Sequence, residues 1–154
     1  MPNPRNMRII KKNKISINAE NSIDLLIGEN MKVDESIHAE NSTSLSIGDN
    51  VKVKWSIYAD NSTNLSIDDK VTVGWSIYAQ HSTNLSIRDN ITVLGYIYTQ
   101  NSTGLTIGDN ITVGWHVYAE NSTGLTIGEN VKVDKSIFID ELIFINSFFL
   151  LMFS

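Results

Sequence analysis

From Ile15 to Asp134 the chain repeats one pattern of apolar and polar positions every twenty residues, six times without an insertion. In the unit WSIYADNSTNLSIDDKVTVG, which opens at Trp55, the apolar sites fall in pairs two apart: Ile57 and Ala59, Leu65 and Ile67, Val71 and Val73. Polar or aromatic residues stand between the members of each pair. That is the alternation of a strand with one face buried and one face wet, and no helical spacing competes with it. Stacking the six units aligns these sites into columns. Ile17, Ile37, Ile57, Ile77, Ile97 and Val117 make one, and Ala19, Ala39, Ala59, Ala79, Thr99 and Ala119 the next. Leucine recurs from Leu25 to Leu125, isoleucine from Ile27 to Ile127 and valine from Val33 to Val133, with Met31, Val51, Val71, Ile91, Ile111 and Val131 as the sixth column.

Turn formers separate the short strands. Asp60-Asn61-Ser62-Thr63 follows the first, Asp68-Asp69-Lys70 (Gly-Asp/Glu-Asn in four other units) follows the second, and Gly74 or a polar residue marks a third corner. Asparagine and glycine tolerate the left-handed backbone that tight corners need. Each unit therefore reads as three short strands and three corners. Antiparallel hairpins are one way to join such strands, but each strand would then oppose its sequence neighbour. A solenoid instead lays every unit on the one before, so that like residues stack. The strict period and the unbroken Leu, Ile and Val columns favour stacking. The expected fold is an all-β parallel β-solenoid of six coils, with an antiparallel all-β fold as the alternative. One coil buries too few side chains to order its own backbone, so the stack depends on its neighbours. With strands about 4.8 Å apart, six coils make a rod about 29 Å long.

The remaining segments lie outside the period. Residues 1–14 carry five basic residues and no long apolar run, so no secretory signal is expected there. A disordered or loosely capping tail is the expectation, with a membrane-surface basic tail as the sharper alternative. Residues 15–139 make the solenoid domain, since a seventh unit begins at Lys135-Ser136-Ile137-Phe138-Ile139 before the pattern fails. Residues 140–154 end in LIFINSFFLLMFS. The apolar run from Leu142 to Phe153 spans twelve residues, too short for a membrane-crossing helix. It reads as a cap over the apolar end of the stack, as an out-of-pattern tail of the kind a shifted reading frame produces, or as an anchor.

Composition changes this picture little. A net charge of −5 suits a soluble all-β body and speaks against a nucleic-acid partner, which normally needs a basic face. The absence of cysteine excludes disulfides and thiolate metal sites.

The polar columns hold the candidate chemistry. Glu29, Asp49, Asp69, Asp89, Asp109 and Glu129 form an acidic column, yet calcium wants six to eight oxygens around one ion and only one carboxylate arrives per coil. Neighbouring charges one strand apart repel by only about 0.9 kcal/mol in water, so a solvated corner needs no metal. His38, His81 and His116 fall in three different columns and are not expected to converge. Asp68-Asp69 is weak as a catalytic carboxylate pair. No cofactor, no metal and no catalytic residue are expected.

Asn41, Asn61, Asn101 and Asn121 form one corner column, and Asn50, Asn90 and Asn110 belong to another. Stacked amides can hydrogen-bond along the rod, and Ser22 to Ser122 is expected to serve the same corner. Asn41, Asn61, Asn101 and Asn121, with Asn64, Asn84, Asn90 and Asn110, also open glycosylation sequons; the structural role is preferred because corners select the same residues. The outward column with most character is His38, Tyr58, Tyr78, Tyr98, Tyr118 and Phe138, with Trp55, Trp75 and Trp115 three residues before a tyrosine. Such a stripe supplies either a binding face for a glycan or a protein, or a ring ladder that stiffens the sheet.

The unit x-S-I-x-A-x-N-S-x-x-L-x-I-G-D-N-V-x-V resembles the roughly twenty-residue repeats of bacterial filamentous-haemagglutinin and related secreted adhesins. The resemblance spans residues 15–139 and rests on Ser56-Ile57-Tyr58-Ala59, the Leu/Ile pair and the Gly-Asp/Glu-Asn-Val corner. It implies a right-handed parallel β-helix within a longer secreted filament, and hence an extracellular or cell-surface place. The hexapeptide left-handed β-helix is the second resemblance, through Ile67, Val73, Ala79 and Leu85 at six-residue steps and Ile47-Gly48-Asp49-Asn50-Val51. Its eighteen-residue coil does not match this period. The expected function is a non-enzymatic structural or adhesive repeat segment; the alternatives are a self-assembling filament module, joined end to end, and a hexapeptide-type protein without catalysis.

Overall fold

The structure, a computed structural model, describes residues 8–10, 12–140, 144–145 and 151–152. Among them every coil contributes three strands. In the coil that opens at Trp55 these are Ile57–Tyr58, Thr63–Ile67 and Thr72–Val73. Each pairs in parallel with its counterpart one repeat away: Ile77 with Ile57, Leu85 with Leu65, Val73 with Val53 and Val93. The strands collect into three parallel sheets, one of eight strands and two of seven among the described residues. The fold is a parallel β-solenoid. The antiparallel alternative is excluded, since every strand pair of the three sheets runs parallel.

All six apolar columns face the interior. Ile57, Ala59, Ile67, Val71 and Val73 are fully buried and Leu65 nearly so, as are their counterparts in the neighbouring coils. Thr99 replaces alanine in its column and is buried too, its hydroxyl donating to the Tyr118 carbonyl at 3.1 Å.

Left-handed backbone sits at the two asparagine corners, with φ between 55° and 59° at Asn41, Asn61, Asn101, Asn121, Asn50, Asn90 and Asn110. The third expected corner differs. Gly74 is not left-handed; a Cβ there would stand 2.1 Å from the Lys54 carbonyl oxygen, so close backbone approach is what suits glycine to the position. The third left-handed site lies instead inside the longest strand, at Asp24, Ser44, Asn64, Asn84, Gly104 and Gly124. There the period of two breaks and two consecutive residues, such as Thr63 and Asn64, both face outward. Where glycine takes this position the strand shortens, to Thr106–Ile107 and Thr126–Ile127.

Buried serines tie the coils together at two corners. Ser62 Oγ accepts the Ser42 N–H at 3.3 Å and donates to the Ala39 carbonyl at 3.1 Å. Ser82 does the same for Ser62 and Ala59. A second row runs the other way, Ser36 accepting from the Ser56 N–H at 3.2 Å and Ser56 from the Ser76 N–H at 3.3 Å.

At the ends, Arg8–Ile10 pairs in parallel with Leu25, Leu26 and Ile27, and Lys14 bridges to Val33. This part of the basic segment lies as strand against the first coil. Beyond the sixth coil, Phe144–Ile145 pairs with Thr126 and Ile127, and Leu151–Met152 with Lys132 and Val133. The choice between cap, tail and anchor for 140–154 falls mostly on positions outside the described residues. Among the described residues no helix is long and apolar enough to cross a membrane.

Candidate functional site: an aromatic face and a tryptophan row

The outward positions of the Ile57–Tyr58 sheet bring the ring column together as a continuous ladder. Centroids are 4.8 Å apart from His38 to Tyr58, 4.9 Å from Tyr58 to Tyr78, 5.0 Å from Tyr78 to Tyr98, 5.1 Å from Tyr98 to Tyr118 and 4.9 Å from Tyr118 to Phe138. Parallel pairing fixes the spacing, because like residues in adjacent strands stand one strand width apart. The rings from His38 to Tyr118 are half-buried against one another, and Phe138 at the end is exposed. Desolvation raises the Tyr98 phenol above its ordinary pKa, and the neighbouring phenols of Tyr78, Tyr118 and Tyr96 add to the rise.

Trp55, Trp75 and Trp115 flank this ladder and remain 50%, 49% and 45% exposed. Half-exposed indoles are uncommon on a soluble surface and give a flat apolar contact with a polar edge. Lys54 Nζ lies 5.8 Å from the Trp55 ring and Lys135 Nζ 6.0 Å from that of Trp115, so both indoles carry a cation on one face. Between the tryptophans and tyrosines runs a groove of about 330 Å³ lined by Ser36, Trp55, Ser56, Tyr58 and Trp75.

Beyond that groove lies Tyr96, which the sequence reading passed over, beside His116. Tyr96 and His116 stand in the column that holds Ser36, Ser56 and Ser76 in other coils. The Tyr96 ring packs 5.4 Å from Tyr98, 5.7 Å from Trp115 and 5.9 Å from His116, and His116 Nδ1 is buried without a partner. The signal for Tyr96 was a double departure in one unit, where Gly95-Tyr96 stands in place of the Trp75-Ser76 pair. The aromatic face is thus an open groove over the second to fourth coils and a packed ring cluster over the fifth and sixth.

The polar columns are occupied by structural work. In the acidic column Asp49 Oδ1 accepts the Asp69 N–H at 3.0 Å, Asp89 accepts that of Asp109 at 2.8 Å, and Asp109 that of Glu129 at 2.7 Å. Asp68 accepts from the Ser46 and Ser66 hydroxyls, and Asp69 pairs with Arg88. Amide ladders join Asn50 to Asn30 and Asn130 to Asn110 at 3.2 Å, and Asn84 to Asn64 at 2.9 Å. At Asn41, Asn61 and Asn101 the link between coils is the backbone N–H, which donates to the carbonyls of Asp60, Gln80 and Glu120. The three histidines stay apart: His38 heads the ring ladder, His81 lies at an exposed corner and His116 in the ring cluster.

In comparisons with protein families, curated proteins and solved structures, the chain matches none. The architecture therefore stands on the coil geometry alone.

Proposed function

We propose that the chain is a non-enzymatic adhesive or structural rod segment, whose Trp55–Trp75 groove is the contact surface for a glycan. The observation that carries this reading is the pair of half-exposed indoles beside a flat tyrosine ladder, repeated at the coil spacing. Sugar rings stack their apolar faces on aromatic planes, and the Tyr58 hydroxyl and Lys54 ammonium offer polar partners at the edge. The likeness to adhesin repeats supports placement at the cell surface. Glycan-array binding of the chain, compared with Trp55→Ala/Trp75→Ala, tests the proposal. Binding that the double variant abolishes is expected; a blank array, or unchanged binding by the variant, would remove it.

A second reading, end-to-end self-association, draws on the third sheet. Among the described residues it ends in Ile17–Asn18 on one side and Ile137–Phe138 on the other, with no strand beyond either. Open strand edges are templates for pairing. Sedimentation that is independent of concentration would count against it.

A further inference from the structure

His38 is the one position of the tyrosine ladder, from the second coil to the sixth, at which an imidazole replaces the phenol. Its ring is held by Tyr58, 4.8 Å away and 12° from parallel. Glu40 follows two residues later on the same outward face, and Glu20 stands one coil below Glu40. His38 Nδ1 lies 3.7 Å from Glu40 Oε1, and one donor atom from each of Glu20, His38 and Glu40 falls within 4.8 Å of the others.

The middle of this column is partnered. Asp60 accepts the Gln80 N–H at 2.8 Å, and the Gln80 amide donates to Gln100 at 2.9 Å. Glu20 and Glu40 are instead two stacked carboxylates with no amide donor between them. Glu40 Oε2 is buried without a hydrogen-bond partner, a costly state for a carboxylate oxygen. Glu120 has the same buried oxygen, but Tyr118 and Gln100 stand where His38 and Glu20 do.

We propose that Glu20, His38 and Glu40 bind a divalent first-row transition ion, with Zn²⁺ as its representative. One imidazole nitrogen and two carboxylate oxygens suit such an ion better than Ca²⁺ or Mg²⁺, which prefer oxygen alone. Metal–donor bonds of about 2.0–2.2 Å place ligands roughly 3.4 Å apart, so donors now within 4.8 Å of one another close by up to about 1.4 Å as exposed Glu20 turns inward. Three protein ligands leave a further position for water. The site joins the first two coils by a bond between side chains that otherwise repel.

The test is calorimetric titration of the metal-stripped chain with ZnCl2 near neutral pH, where imidazole is available as a ligand. Uptake of about one ion per chain is expected. His38→Tyr, which installs the residue used by four neighbouring coils, should weaken it more than about tenfold, and Glu40→Gln should do the same. Glu120→Gln should leave uptake unchanged. Circular dichroism confirms that each variant keeps the fold. Absence of saturable uptake, uptake that survives His38→Tyr, or uptake lost instead with His81→Asn would overturn the proposal.

Discussion

The Tyr78 and Tyr98 rings lie 5.0 Å apart and 8° from parallel, each the parallel-strand counterpart of the other. That relationship joins register, packing and electrostatics. Because the Tyr98 phenol is raised by desolvation and by its phenolic neighbours, the unfolded chain loses this proton first as pH rises. The stability it contributes is full below the unfolded phenol value of about 10 and is lost as pH climbs through the folded one. Urea midpoints of the parent chain should therefore fall more steeply above about pH 10 than those of Tyr98→Phe. Equal slopes would mean that the ladder places no penalty on the phenolate.

The serine row makes a sharper claim on stability. Ser62 Oγ serves both the Ser42 N–H and the Ala39 carbonyl in a dry corner, so Ser62→Ala leaves two buried backbone groups without partners. Such a loss costs about 1–3 kcal/mol. Denaturant unfolding should show that loss for Ser62→Ala and Ser82→Ala, and close to none for Ser86→Ala on the outward face of the strand.

Lys70 occupies a column otherwise filled by asparagine and holds φ at 59°, a conformation a lysine adopts only at a cost. Lys70→Asn should raise stability by about 1 kcal/mol, the typical strain of a left-handed residue. It would also insert an amide between Asn50 and Asn90. Thermal unfolding of the single variant checks the sign, and a lowered midpoint would contradict it.

The six buried columns were legible because every coil meets the same environment, so one rule is written six times. Ile57, Leu65 and Val73 announce their faces by alternation alone. The kink at Asn64 was hidden, since its column mixes Asp24, Ser44, Asn64 and Gly104 within a stretch that otherwise alternates as a strand. Turn-forming types are all that this column shares, and that was its signal. Ser62 read only as a corner residue, because its burial comes from the next coil and not from its own segment. Tyr96 escaped because a consensus discards departures, although departures are where one coil differs from the next, and His116 was weighed only among the histidines. The grouping of His38 with Glu20 was equally hidden, lying across coils and between columns.

Like residues stacking at a constant step is the claim on which the aromatic face, the serine row and the proposed metal site all rest. The chain has no cysteine, so pairs can be introduced for spin labelling at the outward positions Ser46, Ser66, Ser86, Thr106 and Thr126 without background. Dipolar distances measured from Ser46 should rise by a constant step of about 4.8 Å per coil, reaching about 19 Å at Thr126. Distances that alternate between near and far, as a chain folding back on itself would give, would contradict the solenoid.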